Sequence, residues 1–397
     1  MKKYFLFLIT TFFFLNIQAA KFIRQDGNVI RDSTGKTVRL NGVNLGGWML
    51  WEGWIWGGGF TSETKIQTNL ELLAGKQMAD SFRLNIYSNF ITEADIKAIS
   101  ETGLNVVRIP VNHKALQEGF QTMNGKLVGW EILDNVIGWC KKYQVYVVID
   151  MHGAPAGQSS YFIADPDKPN LWKNQNAKNQ TIALWKQIAT RYANETIIAG
   201  YDLLNEPVPS PKDSLVSLYE KIISAIRSVD SNHMMIIEGG NFAKDFSMFK
   251  KLPDNNMLFS FHMYTWLGGD PTDKIKDFVA LSEKFNVPIW CGEWGENSYE
   301  VLEKTLKTFS DTANKLSGWC FWTWKKVLNN YPALNAINCT ASWKEIIKWC
   351  STPSTKHMPG HDVAVAAMKE FELAIVYDKT THDGRLTKLL SDYAKLK

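Results

Sequence analysis

The chain of 397 residues is poor in cysteine: five, at positions 140, 291, 320, 339 and 350. So few thiols cannot staple a chain of this length, and no Cys-x-x-Cys pair offers a zinc site. Cys291 and Cys320 lie in apolar, strand-like runs and read as buried thiols. Cys339 and Cys350 flank one loop and helix, where a bridge is possible. Runs of one charge are also missing. The 44 Lys and Arg are dispersed among 40 Asp and Glu, and a net charge of +4 without a basic patch argues against nucleic acid as a partner. Beyond residue 20 no segment is apolar enough to cross a bilayer, so no membrane insertion is expected of the mature chain. No low-complexity hinge divides it. No glycine-rich phosphate turn follows an early strand, which removes the main support for an open, doubly wound sheet.

The N-terminus has a function of its own. "MKK" is followed by the apolar run "YFLFLITTFFFL" and then by "NIQAA", whose small residues suit cleavage after Ala19 or Ala20. This is the pattern of a secretory signal. Residues 1–20 are therefore expected to be a signal peptide and 21–397 a single exported domain, secreted or periplasmic. No cysteine follows the cleavage point, so a bacterial lipid anchor is not indicated. Asn-x-Ser/Thr sites at Asn179, Asn194 and Asn338 matter only in a host that glycosylates them. Nothing in the sequence speaks to oligomeric state.

The mature chain has a rhythm. Eight β-branched or aromatic runs recur: "VRLNGVNL", "NVVRIPV", "VYVVIDMHG", "AGYDLLNEP", "MMIIEGG", "LFSFHMYT", "PIWCGEWG" and "GWCFWTWK". Amphipathic helical patterns separate them, as where Leu215, Leu218, Ile222, Ile226 and Val229 share one face. "ITEADIKAISETG" opens with a threonine and a glutamate placed like a cap and closes on glycine. Eight strands alternating with helices predict a (β/α)8 barrel with elaborated loops at its C-terminal face. Asp-Gly and Thr-Gly turns in "IRQDGNVIRDSTGKTVRL" predict a hairpin ahead of it.

Such barrels gather their chemistry where the strands end. Those ends carry Arg108, His152, Asn205 with Glu206, Glu238, His262 with Tyr264, Glu293, and Trp322 with Trp324. A lone buried polar residue is commonplace; a ring of them is not. Glu206 and Glu293 end the fourth and seventh strands, across the barrel mouth from each other. Two carboxylates flanking a sugar are what glycoside hydrolysis needs, one protonated to serve the leaving oxygen and one ionised to attack. Arg108 is placed to hold Glu293 as an anion. His262 and Tyr264, two residues apart, face one side of a strand. Asp150 reads as a brace of the barrel, and Glu238 as a supporting or sugar-binding group. His113, Asp150, His152 and His262 lack the HxH or HxxxH spacing of a metal site, so no metal is expected.

These motifs, in this order, resemble glycoside hydrolase family 5, the cellulase family, over nearly the whole mature chain. "LNGVNLGGW", "NFITEADIKAISETGLNVVRIP" and "GWCFWTWK" look most similar to its exo-1,3-β-glucanase branch. The resemblance implies a retaining enzyme that needs no cofactor, with Glu206 as acid/base and Glu293 as nucleophile. It places Arg108, His152, Asn205, His262, Tyr264 and Trp322 around the sugar at the cleavage point, with Trp294 beside them in "GEW". The implied partner is a β-glucan or its oligosaccharides, β-1,3-linked and attacked from the chain end, ahead of β-1,6- or β-1,4-glucan, β-glucosides, or transfer to a sugar acceptor. A non-catalytic sugar-binding barrel is disfavoured, because both glutamates are kept. The resemblance departs at "VNHKAL" and in the loops 158–172 and 327–350.

Four of the sixteen tryptophans fall in "WMLWEGWIWGGGF", residues 48–60. Gly46, Gly47, Trp48 and Glu52 match the branch's pattern, which gives Glu52 the hydroxyls of a terminal sugar. Trp51, Trp54 and Trp56 are expected to wall the pocket, since a pyranose face packs well on indole. The glycines are expected to let the loop turn at the pocket rim.

Overall fold

Within the runs of Val, Ile, Met and aromatic residues, alternate side chains point to opposite faces, so each run can bury one face inside a barrel and the other under helices. The computed structural model realises this arrangement. It describes residues 22–395 apart from 118–126, 169, 210, 267, 312–314 and 329–331; the expected signal segment lies outside the described residues. Three short antiparallel strands come first: β1 (Arg24–Asp26), β2 (Val29–Arg31) and β3 (Thr37–Val38). The expected hairpin is β1–β2, turning at Gly27 with φ 59°, and β3 adds a third strand.

Eight parallel strands then close into a barrel: β4 (Leu40–Asn44), β5 (Val106–Asn112), β6 (Tyr146–Gly153), β7 (Ile198–Asp202), β8 (Met234–Glu238), β9 (Met257–Met263), β10 (Ile289–Trp294) and β11 (Gly318–Phe321). Each pairs with its neighbour in sequence, and β11 closes on β4. This is the predicted (β/α)8 barrel. A further small sheet, β12 (Lys325–Val327), β13 (Asn335–Ile337) and β14 (Thr381–His382), was not foreseen.

The core is split in two, as the alternation requires. Leu40, Val106, Val148, Met234, Ile236, Leu258 and Trp290 fill the barrel, with Ile23, just ahead of β1, and Ile30 of β2 packed against them. The larger cluster, including Val107, Ile109, Val147 and Ile149, lies between barrel and helices. Going up β5, inward Val106 is followed two residues later by Arg108; in β8, Met234 and Ile236 are followed by Glu238; in β9, Leu258 is followed by Ser260 and His262. The inner wall thus turns from apolar to ionisable at its C-terminal end, which is where the site lies.

Local details correct two expectations. The helix Glu93–Thr102 does begin with a capping box, but Thr92 is paired with Asp95 rather than Glu93, and Gly103 ends it at φ 85°. Cys339 and Cys350 do not pair; all five cysteines are free thiols.

Candidate active site

Arg108 is the hub of the inner layer. Fully buried, it donates from Nη1 to Glu293 Oε1 (2.8 Å), from Nε to Asp202 Oδ2 (2.8 Å), and from Nη2 to Asn205 Oδ1 (2.8 Å) and Glu238 Oε1 (2.9 Å). Asp150 Oδ2 is a further 3.1 Å contact. Four carboxylates share one guanidinium, and burial with repulsion from Glu238 pushes Asp202 up to about 7, against the pull of Arg108.

Glu293 is held at both oxygens, since Tyr264 O–H donates to its Oε2 at 3.0 Å. Glu206 stands opposite. Its Oε1 is 2.7 Å from His262 Nδ1, and one carboxylate oxygen of each glutamate lies with a His262 nitrogen inside a 4.8 Å cluster. Glu206 has φ 41°, a left-handed conformation that costs a residue with a side chain about 1–3 kcal/mol, and its N–H donates to Glu238 Oε2 at 2.7 Å. The charges of this pair move in opposite directions. Burial raises Glu206, but the hydrogen bond and charge of His262 outweigh it and hold the carboxyl below its usual range. His262 in turn is desolvated, yet Glu238 and Glu293 hold it charged well above the ordinary histidine value. These opposite shifts place the proton of the His262–Glu206 pair on the imidazole side.

Beside them, His152 is set by Asp150 (Nδ1 to Oδ2, 2.7 Å) and stacks on Trp322 at 5.5 Å between ring centres. Asn205 Nδ2 lies 3.3 Å from His152 Nε2. Glu52 accepts from Trp54 Nε1 (2.7 Å), and burial foremost pushes it up to about 7, with His152 pulling the other way. Glu52, Trp54, His152, Asn205, Glu206, Tyr264, Glu293 and Trp322 line one cavity of about 420 Å³, a size suited to a small ligand; Arg108 and His262, also expected around the sugar, are buried and not part of its lining.

The tryptophan-rich loop divides its members. Trp54 lines the cavity, with Lys326 Nζ 5.8 Å from its ring centre. Trp51 and Trp56 do not: both are fully buried, 4.4 Å apart, packed on Phe82, and Trp56 also meets Trp343 and Phe371. Trp48 is buried too and donates to Tyr87 O. These rings anchor the loop from below. Gly46 is required by close approach, since a Cβ there would stand 2.8 Å from the Trp322 ring. Trp294 is also corrected. It follows the inward Glu293 and so points outward, edge-on to Phe309, Trp319 and Phe321.

Sequence reasoning missed the outer cavity wall: Phe60, Tyr161, Phe162, Phe242 and Trp266, on four loops. Phe60 stacks on Phe162, and Tyr161 meets Phe242. The departure at "VNHKAL" explains how the 158–172 loop is held: Asn112 and Lys114 both donate to Asp165 Oδ2, at 3.1 and 3.0 Å.

Two carboxylates facing each other over a pocket walled by indole, on the C-terminal rim of a (β/α)8 barrel, make this protein a glycoside hydrolase. The comparisons supply the family. A model described as cellulase (glycosyl hydrolase family 5) matches residues 63–327, and the chain belongs to that family. It is 32% identical over 342 residues to a β-xylosidase of Phanerodontia chrysosporium, covering 77% of this chain and 71% of that protein. It is 28% identical over 273 residues to a probable glucan 1,3-β-glucosidase A of Emericella nidulans, covering 64% and 67%. A crystal structure of a β-glucanase from Saccharophagus degradans shares the fold, with TM-score 0.55 and 18% identity over 89% of this chain and 94% of that one.

Proposed function

We propose that the protein is an exported, retaining exo-β-glucanase that removes glucose from the ends of β-1,3-linked glucan, with Glu293 as nucleophile and Glu206 as acid/base. The observation that carries the retaining part of this reading is that one oxygen of each carboxylate lies within 4.8 Å of the other's. Retaining enzymes place the pair about 5–5.5 Å apart and inverting ones about 6.5–9.5 Å, to admit a water between. Glu293, held by Arg108 and Tyr264, attacks the anomeric carbon while Glu206 delivers the proton it shares with His262 to the departing oxygen. Once Glu293 is esterified its charge is gone, and Glu206 then takes a proton from the water that frees the sugar. Asn205, His152 and Glu52 are assigned to the sugar's hydroxyls, and Trp322 and Trp54 to its faces. In this reading Glu52 and Trp54 close the pocket beside β4, which favours attack at a chain end. Support for the β-1,3 linkage comes from the relative named a glucan 1,3-β-glucosidase. Among the described residues no helix is long and apolar enough to cross a membrane. Residues 1–20 are assigned as a signal peptide and 21–397 as one catalytic domain.

The test is a product profile on β-1,3-, β-1,6- and β-1,4-glucans with NMR of the first product. Glucose alone from β-1,3-glucan, appearing first as the β-anomer, is expected. A ladder of oligosaccharides would replace the exo reading, and an initial α-anomer would overturn retention. The 32% identity to a β-xylosidase favours a xylosyl sugar as the second reading; paired aryl β-xyloside and β-glucoside assays decide it.

A further inference from the structure

Glu238 is a fully buried carboxylate at the end of β8, and it is absent from the cavity wall. Tyr219 donates to its backbone carbonyl at 2.9 Å, but the hydrogen-bond and ion-pair partners of its carboxylate all belong to the proposed catalytic apparatus. Oε2 accepts the backbone N–H of Glu206 at 2.7 Å, and Oε1 accepts from Arg108 Nη2 at 2.9 Å. His262 Nε2 stands 3.1 Å from Oε1, an ion-pair contact rather than an aligned hydrogen bond. The same imidazole reaches the Glu206 carboxyl with Nδ1, and the same guanidinium holds Glu293.

We propose that Glu238 is a positioning residue that sets where Glu206 stands relative to Glu293. The inference rests on the acid/base reading of Glu206 given above. Glu206 lies beyond the last residue of β7 (Asp202), outside the ladder, and its φ of 41° is one that a residue with a side chain leaves unless something holds it. A charged acceptor on its own N–H is such a restraint, and a strong one. The spacing between the two catalytic carboxylates then runs through one buried chain: Glu293, Arg108, Glu238, Glu206 N–H. The second arm of Glu238 acts through His262, which it helps keep charged and fixed beside the Glu206 oxygen. Asp202 shares the guanidinium but has no contact of this kind with Glu206, so the role falls to Glu238.

The role separates from simple structural bracing by its dependence on the leaving group. A displaced acid hurts substrates whose leaving oxygen needs a proton and spares those that leave unaided. In the full enzyme, Glu238→Gln is expected to lower kcat/KM about 100-fold on a glucan oligosaccharide and less than about 10-fold on dinitrophenyl β-glucoside. Glu238→Asp keeps the charge but is one methylene too short to span Arg108 and the Glu206 N–H. It should show the same split in milder form, and it serves if the Gln variant does not fold. The reference is Glu206→Gln, the enzyme without its acid. If that variant shows no split, the acid/base reading fails and takes this one with it. If it does, while the Glu238 variants lose both activities equally or neither, Glu238 is a brace and the positioning role is overturned.

Discussion

At the scale of single residues, the site runs on carboxylates whose surroundings differ. Glu52 shows what this costs. Its side chain is almost fully buried without a cationic hydrogen-bond partner, and its proton affinity rises to about 7 from a usual 4.5. An acid raised in the folded state binds its proton more tightly there than in the unfolded chain. Its folded form is therefore favoured below the unfolded value, and stability drains away as the pH rises from about 4.5 to about 7. Glu52→Gln keeps the acceptor for Trp54 and removes the charge. It should raise stability at pH 8 by up to about 3 kcal/mol and leave it unchanged at pH 4.5. Activity should fall in the same variant, since Glu52 is assigned to substrate hydroxyls. Thermal unfolding at the two pH values checks the first part; equal gains at both would show that charge burial is not the cause. The proposed nucleophile gives a plainer expectation. Glu293→Ala should cut turnover by at least about 10⁴-fold, with circular dichroism unchanged; residual turnover within tenfold of the wild type would remove Glu293 from the reaction.

At the scale of elements, the 48–60 loop makes two tryptophans two residues apart do opposite work. Trp54 faces the cavity, whereas Trp56 is packed among Trp51, Phe82, Trp343 and Phe371. Trp56→Ala should destabilise the fold by about 3–5 kcal/mol, the usual loss for a large buried ring. Trp54→Ala should leave the unfolding midpoint within a few degrees and raise KM for oligosaccharides. Denaturant melts beside steady-state kinetics tell the two apart, and a reversed pattern would reverse the assignment. This pair also marks the limit of what the sequence made legible. The strands were readable because their period of two is visible and each ends in a polar residue. Arg108, His152, Asn205, Glu206, His262, Tyr264 and Glu293 could be placed at the rim for that reason alone. A glycine-rich loop has no period, so its aromatic content was plain but the facing of each ring was not. Trp294 was misplaced although the strand period, applied to Glu293, would have sent it outward. Tyr161 with Phe162, Phe242 and Trp266 are aromatics on three separate loops, brought together only by the closure of the barrel.

At the scale of the whole molecule, stability and chemistry meet in Arg108. Asp150, Asp202, Glu238 and Glu293 come from four strands and are all buried against its one charge. Domains of this kind are stable by only about 5–15 kcal/mol, and stripping a buried carboxylate of its partner costs about 3–5 kcal/mol. Arg108→Gln should therefore threaten the barrel itself, not only turnover. The loss has a signature in pH. Without the guanidinium, the orphaned carboxylates can remain buried only by taking up protons, foremost Asp150 and Asp202, which burial already raises above the usual aspartate value. The stability they forfeit is largest where the unfolded chain is fully ionised and shrinks toward the unfolded carboxylate range. The gap in unfolding midpoint between wild type and Arg108→Gln should thus be widest near pH 8 and clearly narrower at pH 5. A gap of the same width at both would mean that Arg108 serves the barrel by packing rather than by charge. A narrowing gap would mean that the barrel cannot be separated from its site: the charge that holds Glu293 is also the one that lets β6, β7, β8 and β10 bring their acidic residues to a common centre around β5.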